Sequence, residues 1–271
     1  MPELPEVETT LRGLVPHLID QTVSDVTIRT PQLRWAIPPQ LPDLLRQQTI
    51  RALHRRAKYL LIKFDHGTLI LHLGMSGSLR LLPAGTAALP HEHFDLILNN
   101  GTLMRLRDPR RFGAVLWHNG DAMTHPLLVK LGVEPLEENF TGSYLFQATR
   151  TRNVAIKLII MDHHIVVGIG NIYANEALFH AGIRPEMVAS KLSKPRSARL
   201  VQTLRETLAS AITQGGSSLR DYVGSDGNAG YFQQNYYVYD CAGKPCRTCN
   251  TLIKQITQGQ RSSFYCAACQ K

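Results

Sequence analysis

The chain has 271 residues, of which 44% are hydrophobic, so it is long enough to bury two sizeable cores. It contains 30 Lys and Arg against 21 Asp and Glu residues, and the net charge of +9 favours nucleic acid as a partner over an acidic small molecule. The sequence has no long apolar span or basic amphipathic segment, which argues against a membrane partner, and it has no export signal, so we expect a cytoplasmic protein.

The N-terminal segment, residues 2–8 (PELPEVE), has two interpretations. Removal of Met1 would leave Pro2 with a free secondary amine, which attacks a masked aldehyde to give an electron-withdrawing iminium ion. Glu3 and Glu6 are close enough in sequence to transfer protons to or from that site. Alternatively, the prolines only start a helix, because proline suits the first turn and apolar residues follow at helical spacing, namely Val7, Leu11, Leu14, Val15 and Leu18.

From the end of this helix to about residue 130, the pattern is mostly strand. Val26 and Ile28 alternate with polar residues, and segments 59–64 and 68–73 flank a turn at residues 65–67. A second pair, residues 94–98 and 103–106, surrounds the sequence Asn-Asn-Gly, and residues 113–117 form one more strand. Several short strands separated by turns predict a β-sandwich.

Three short segments of this β-rich part carry candidate functional residues. Residues 55–59 (RRAKY) place Lys58 at the start of a strand. Lys58 there could anchor a phosphate or act as an acid–base group, or it could only increase solubility at a strand edge. Residues 72–77 (HLGMSG) contain Met75, and methionine usually fills a core. Residues 108–113 (DPRRFG) place Phe112 in a turn with no obvious core, which suits a wedge between DNA bases beside an arginine that replaces the lost base contacts.

After residue 130, the pattern is helical. We predict helices at residues 142–151, 153–161, 171–181 and 193–214, the last with a buried stripe of Leu200, Leu204 and Leu208. Residues 167–173 (VGIGNIY) open the third helix, where glycines and free amides favour a phosphate, although this glycine pattern alone is weak. Residues 221–231 are predicted to form a mobile loop.

Four cysteines near the C-terminus form two Cys-x-x-Cys pairs, Cys246 with Cys249 and Cys266 with Cys269. This spacing predicts one structural Zn²⁺ bound by four thiolates. Two disulfides are the alternative, but the chain lacks the signal segment of a secreted protein and contains an odd fifth cysteine, Cys241, which we interpret as a free thiol. Because a four-cysteine site has no open position for substrate, any chemistry must lie elsewhere.

Six segments occur together and in order: residues 2–6 (PELPE), 56–59 (RAKY), 72–77, 108–113, 168–173 (GIGNIY) and the cysteine-rich tail. With these segments the chain resembles the bacterial formamidopyrimidine-DNA glycosylases, also called 8-oxoguanine DNA glycosylases/AP lyases. The resemblance extends over nearly the whole chain. The start Pro-Glu-Leu-Pro favours this family over the related endonuclease VIII enzymes, whose start resembles Pro-Glu-Gly-Pro.

The resemblance implies an α+β protein with an N-terminal β-sandwich domain with flanking helices (1–133), a helix–two-turns–helix domain (134–235) and a zinc finger (236–271). It implies a base-excision repair enzyme that removes oxidised purines from duplex DNA and cleaves the strand by β,δ-elimination. The expected partner is duplex DNA containing oxidised purines or abasic sites. We also expect a monomer that contains one structural Zn²⁺ and contacts no membrane.

The resemblance also implies roles for individual residues. Pro2 is the nucleophile on C1′ of the damaged nucleotide, Glu3 the general acid that opens the sugar ring, Lys58 the proton donor for β-elimination and Arg261 the proton donor for δ-elimination. The positions matching DNA contacts are His91, Arg110 and Arg152. The trio that fills the gap left by the flipped base is Met75, Arg110 and Phe112. The phosphate clamp at the lesion is Lys58, His72, Asn171 and Arg261.

Two rival functions remain open at this point. A zinc-dependent DNA-binding protein without catalysis would explain the positive charge and the cysteines but not the N-terminal proline or Lys58. A glycosylase of the endonuclease VIII type, acting on oxidised pyrimidines, would share the nucleophile and differ in the base that it removes. Base selection is expected to depend on residues 217–231.

Overall fold

The structure is a computed structural model that describes residues 2–217 and 236–271. The described residues form two compact units. The first contains residues 2–129 together with 215–217, and the second contains residues 130–214 together with 236–271.

The first unit begins with helix α1 (Leu4–Leu18) and contains two four-stranded antiparallel sheets. One sheet has the order β1 (Val23–Ile28), β6 (Glu92–Leu98), β7 (Thr102–Arg107), β5 (Ser78–Pro83). The other has the order β2 (Ala52–Arg56), β3 (Tyr59–Lys63), β4 (Gly67–His72), β8 (Ala114–Asn119). A short helix, α2 (Leu41–Leu45), and a 3₁₀ turn (Ala122–Thr124) complete this unit.

The core of the first unit is built from α1, α2 and both sheets. Val7, Leu14 and Leu18 on α1 are fully buried in it, as their helical spacing predicts. They pack in one cluster with strand residues such as Phe94 and Leu69. The first turn of α1 is anchored at the same time, so the N-terminal segment has a fixed position in this unit.

The second unit contains helices α3 (Gly142–Thr149), α4 (Ile156–Ile160), α5 (Asn171–Ala181) and α6 (Lys194–Thr213), with a 3₁₀ turn at Ala189–Lys191. The predicted stripe Leu200, Leu204 and Leu208 is fully buried. The chain ends in a hairpin of β9 (Lys254–Gln258) and β10 (Arg261–Tyr265). A small core joins this hairpin and the cysteines to Phe179 of α5.

The α+β fold class with N-terminal sheets is confirmed, but several details differ from the sequence predictions. Strands β2 and β5 and helix α2 were not predicted. Helix 153–161 is shorter than predicted and begins at Ile156, because the Ile156 amide donates to the Met187 carbonyl at 2.7 Å and Ala155 bridges to Val188. The predicted loop 221–231 lies outside the described residues. Among the residues that the structure describes, no helix combines the length and apolarity needed to cross a bilayer.

Candidate active site

The N-terminal segment is buried and is held by a single carboxylate. Pro2 and Glu3 are buried, and Glu3 is the residue that precedes the first turn of α1. The Glu3 amide donates to Glu6 Oε2 at 2.8 Å, and the Ser217 amide donates to Glu6 Oε1 at 2.7 Å. Glu6 itself has no exposed surface. The candidate nucleophile and acid therefore lie on a fixed segment tied to Ser217.

Lys58 lies in the two-residue turn between β2 and β3. The other turn residue, Ala57, has φ 54°, the left-handed conformation that tight hairpin turns require. Arg55 ties this turn to α1, because its Nε donates to Glu8 Oε2 at 2.9 Å and its Nη1 to the Ala57 carbonyl at 3.0 Å. Burial raises the pKa of Glu8, but hydrogen bonds and charge from Arg55 and Arg12 outweigh burial and the net effect lowers it.

His72, the last residue of β4, is a neutral hydrogen-bond donor of defined tautomer. Burial and the nearby positive charges of Lys58 and Arg34 lower the pKa of His72 to about 4, so the ring is uncharged at pH 7. The Gly74 amide donates to Nδ1 at 3.0 Å. An amide can only donate, so Nδ1 accepts and the ring proton is on Nε2. His72 can thus donate to a phosphate oxygen without adding charge.

The predicted gap-filling residues lie on two loops, residues 73–77 and 108–113, which we call the wedge loops. Met75 is 40% exposed and Phe112 is 43% exposed, and these two apolar side chains lie on loops that contact each other. The Arg110 guanidinium lies 5.1 Å from the centre of the Phe112 ring. The loops touch backbone to backbone, since a Cβ on Gly74 (φ +62°) would lie 2.4 Å from the Phe112 carbonyl carbon.

His91 lies beside the second wedge loop. It is exposed, has φ 73°, and its carbonyl accepts from the Asp108 amide at 2.9 Å. The segment before it is shaped by buried Arg105, whose guanidinium donates to the carbonyls of Thr86 (2.8 Å) and Ala87 (3.0 Å). Arg105 also pairs with two buried carboxylates, Asp95 and Glu92. The first unit thus brings the loops of Met75, His91, Arg110 and Phe112 together.

In the second unit, Asn171 and the hairpin of Arg261 are held together. Asn171 is the first residue of α5, and its Nδ2 donates to the Ser262 carbonyl at 3.0 Å. Lys157, only 1% exposed, donates to the same carbonyl at 2.9 Å and to Ser263 Oγ at 2.6 Å. Arg261 begins β10 and is exposed.

Arg152, the remaining predicted DNA contact, is also exposed. It lies between α3 and α4, where its carbonyl accepts from the Ser190 amide at 3.0 Å.

The four predicted zinc ligands converge. Sulfur–sulfur distances are 3.9 Å for Cys246–Cys269, 3.4 Å for Cys249–Cys266 and 3.5 Å for Cys249–Cys269, and all four lie within 4.8 Å of one another. Four thiolates around Zn²⁺ at ~2.3 Å would be separated by about 3.8 Å, so the cluster fits the ion. Among the residues described, Cys241 is not part of the cluster, and burial raises the pKa of its thiol.

Sequence reasoning missed several residues that organise these sites. Arg34 lies near enough to lower the pKa of His72, Asp108 joins the loops, and Lys157 fixes the hairpin. No local pattern marks Arg34 or Lys157. Asp108 lies within residues 108–113, but the sequence pattern there points only to an arginine and Phe112 as DNA contacts.

Three protein-family models match successive parts of the chain. The N-terminal domain of formamidopyrimidine-DNA glycosylase matches residues 1–115, and the H2TH domain of the same enzyme matches residues 131–223. A zinc finger found in FPG and IleRS matches residues 243–271, which together with the cysteine cluster confirms one structural zinc.

Curated relatives and solved structures agree. The chain is 56% identical to the formamidopyrimidine-DNA glycosylase of Herminiimonas arsenicoxydans and 55% identical to that of Thioalkalivibrio sulfidiphilus, with both chains of each pair fully covered. A Lactococcus lactis FPG mutant in complex with Fapy-dG-containing DNA has a TM-score of 0.92 at 31% identity, with both chains fully covered. The MutM (FPG) protein of Thermus thermophilus has a TM-score of 0.88 at 36% identity, with 99% of this chain and 98% of that chain covered.

Proposed function

This chain belongs to the formamidopyrimidine-DNA glycosylase family, and we propose that it is a base-excision repair enzyme that removes oxidised purines from duplex DNA and then cleaves the strand. The observation that carries the proposal is the pair of exposed apolar side chains, Met75 and Phe112, on wedge loops that are locked together. Such side chains are suited to enter a base stack when the damaged base leaves it.

The first chemical step replaces the bond to the base. Once Met1 is removed, the Pro2 nitrogen forms a bond to C1′ of the damaged nucleotide and gives up its proton, while the base leaves with the electrons of the glycosidic bond and takes up a proton. Glu3 protonates the ring oxygen, which opens the sugar and leaves an iminium ion between Pro2 and C1′. The buried position of Glu3 and the hold of Glu6 on its amide support this assignment.

The iminium ion then drives two eliminations. It acidifies the C2′ protons, so loss of one expels the 3′-phosphate, and loss of a further proton expels the 5′-phosphate. We assign the proton donor of the first elimination to Lys58 and that of the second to Arg261. Water finally hydrolyses the iminium, which regenerates Pro2 and leaves a one-nucleotide gap with phosphate at both ends.

The DNA contacts follow the same assignment. Lys58, His72, Asn171 and Arg261 clamp the phosphates at the lesion, and His91, Arg110 and Arg152 bind the duplex around it. The uncharged Nε2–H of His72 gives this clamp a directional donor beside the cations Lys58 and Arg261. Zinc, bound by the four cysteines, stabilises the hairpin that presents Arg261.

We also propose the division into domains at 1–133, 134–235 and 236–271, supported by three family matches in the same order. We further propose that the enzyme acts as a monomer. The proposed substrate, bacterial DNA, places the enzyme in the cytoplasm.

Borohydride trapping tests the function directly. Protein shown by mass spectrometry to lack Met1 is mixed with duplex containing one 8-oxoguanine, and reduction of the iminium should give a covalent protein–DNA adduct and a cleaved strand. A duplex with undamaged guanine is the control. Tight binding without adduct would instead identify a non-catalytic zinc DNA-binding protein.

Oxidised pyrimidines are the second candidate substrate. A Lactococcus lactis FPG (MutM) that is 31% identical to this chain, with a TM-score of 0.91, has been solved with DNA containing an oxidised pyrimidine. Parallel trapping with a thymine glycol duplex distinguishes oxidised purines from oxidised pyrimidines as the preferred substrate. Faster adduct formation on 8-oxoguanine supports our assignment, and faster formation on thymine glycol favours the pyrimidine reading.

A further inference from the structure

The buried carboxylate of Asp108 is the point at which both wedge loops meet. Asp108 has no exposed surface. Its Oδ1 accepts the Ser76 hydroxyl at 2.9 Å, and its Oδ2 accepts the Gly113 amide at 2.7 Å. The first bond reaches the loop of Met75, and the second closes the loop of Arg110 and Phe112. The residues joined by the first bond are 32 positions apart, so this bond links two loops that are distant in the chain.

Ser76 links the loops a second time. Its hydroxyl donates to Asp108 and also accepts from the Arg110 amide at 3.3 Å. The side chain is 1% exposed, so water does not compete for these bonds. A single hydroxyl therefore connects the backbone that carries Arg110 to the loop that carries Met75.

The backbone of Asp108 extends the connection to a third segment. Its amide donates to the His91 carbonyl at 2.9 Å, and its carbonyl accepts from His93 Nε2 at 2.9 Å. The other ring nitrogen of His93 is 2.9 Å from the Thr30 hydroxyl. Asp108 thus contacts all three segments that carry the predicted DNA-contacting side chains Met75, His91, Arg110 and Phe112.

We propose that Asp108, acting through Ser76, is a positioning residue that makes the wedge loops and the His91 segment move as one body when the damaged base is extruded. The proposal rests on the proposed function, because the motion that it restrains is insertion of the wedge. Neither residue needs to touch DNA. Without the link, the stacked bases could displace each loop separately. The wedge would then stabilise the unstacked state less well.

The first test is Ser76→Ala, which removes both hydroxyl bonds and leaves the Gly113 bond in place. We expect 8-oxoguanine excision to slow about 3–10-fold, the scale of losing the 2.9 Å bond to Asp108, because the 3.3 Å bond from the Arg110 amide is longer and weaker. Cleavage of an abasic duplex, which requires no base extrusion, should slow less than about 2-fold. Ser78→Ala is the matched control, because Ser78 is equally buried at 1% and no hydrogen bond joins it to Asp108 among the described residues.

A double-variant cycle asks whether Ser76 acts through the wedge. In a Phe112→Ala background, Ser76→Ala should slow excision by clearly less than it does in the wild type, because the side chain that it positions is gone. Multiplication of the two single effects would show independent roles and would overturn the proposal.

Asp108 variants separate the bonds from the charge. Asp108→Asn can still accept the Gly113 amide and can donate to the Ser76 hydroxyl, so we expect excision within about 3-fold of the wild type. Asp108→Ala, if it folds, should be slower than Ser76→Ala. An asparagine variant that is folded yet as slow as Ser76→Ala would overturn the proposal, since the bridging bonds would not be what matters.

Amide hydrogen exchange of the free protein gives a readout that needs no activity. Ser76→Ala should increase exchange across residues 108–113 and 89–93 as well as 73–77, whereas Ser78→Ala should not. If Ser76→Ala increases exchange only in residues 73–77, the loops are not coupled and the proposal is overturned, even if the enzyme is active. Conversely, if the wild type forms no adduct with any lesion, the proposed function fails, and exchange still reports whether the loops are joined.

Discussion

The wedge loops and the zinc-finger hairpin both present exposed side chains with proposed roles in DNA binding, but they are held in place for different reasons. The wedge loops are organised by buried Asp108, whose carboxylate accepts from Ser76 and Gly113 and whose backbone amide donates to the His91 carbonyl. Most residues of β9 are exposed, and the hairpin depends on a small core, on Lys157 and on a four-thiolate metal site. The first arrangement should weaken in graded steps when single bonds are removed, and the second should fail as a whole when the metal is lost.

The largest expected effect is at Pro2, which lies outside both the wedge loops and the hairpin, and the effects expected in those two regions are smaller. Pro2→Gly, or retention of Met1, should lower base release and borohydride adduct more than about 1,000-fold, as loss of a covalent nucleophile does. Duplex binding should survive, because the wedge loops and the hairpin are untouched. A normal adduct yield from protein that retains Met1 would remove Pro2 from the mechanism.

Next in size is loss of the metal. Cys249→Ser should release zinc and disorder the hairpin, lowering DNA affinity at least about 10-fold at fixed salt through the lost phosphate contacts of Arg261. Metal analysis and a binding titration measure the two effects. Cys241→Ser is the matched control and should keep both zinc and affinity. Full activity in protein without zinc would show that the hairpin does not depend on the metal.

A smaller and selective effect is expected at the wedge. Phe112→Ala should slow 8-oxoguanine excision about 5–30-fold, because the Phe112 ring no longer offsets ~1–2 kcal/mol of the free energy of unstacking. Abasic cleavage should slow less, and non-specific affinity should keep its steep salt dependence. Leu44→Ala, with similar exposure on α2, is the control and should change neither reaction. Equal slowing on both duplexes would instead mean that Phe112 supports the whole domain.

The last expected effect concerns His72 and appears in stability rather than in activity or DNA affinity. Its pKa is about 4 in the folded protein against 6.5 in an ordinary environment, so between these values the unfolded chain binds more protons. Stability should therefore fall as pH drops from about 6.5 to about 4, by on the order of 3 kcal/mol in total, with no contribution at pH 7 or above. Melting temperatures of wild type and His72→Gln should converge with falling pH. Parallel curves would contradict the neutral ring.

Periodic and compositional signals predicted the parts of this molecule that depend on local sequence. The bounds of α5 agree with the prediction at 171–181, and cysteine spacing alone predicted the cluster that the structure assembles. The roles of the catalytic and DNA-contacting residues stay predictions, since they were implied by resemblance rather than by geometry.

What could not be predicted depends on partners distant in the chain. Strand β5 contains Arg80 and ends in Pro83, and it is a strand because it pairs along its length with β7. The Ser76–Asp108 bond and the tautomer of His72 require knowing which loops meet. Residues 153–155 have a helical pattern, yet Ala155 is extended where it meets Val188. In each case, tertiary pairing overrode local preference.

The backbone contact at Gly74 has a consequence for engineering this enzyme. Any side chain there would meet the Phe112 carbonyl and would also be strained by the left-handed φ, so this position admits only glycine. Its neighbour Met75 is 40% exposed and meets no such limit. A library that probes the wedge can therefore vary positions 75, 110 and 112 while keeping 74 and 108 constant, which confines diversity to side chains on an unchanging backbone.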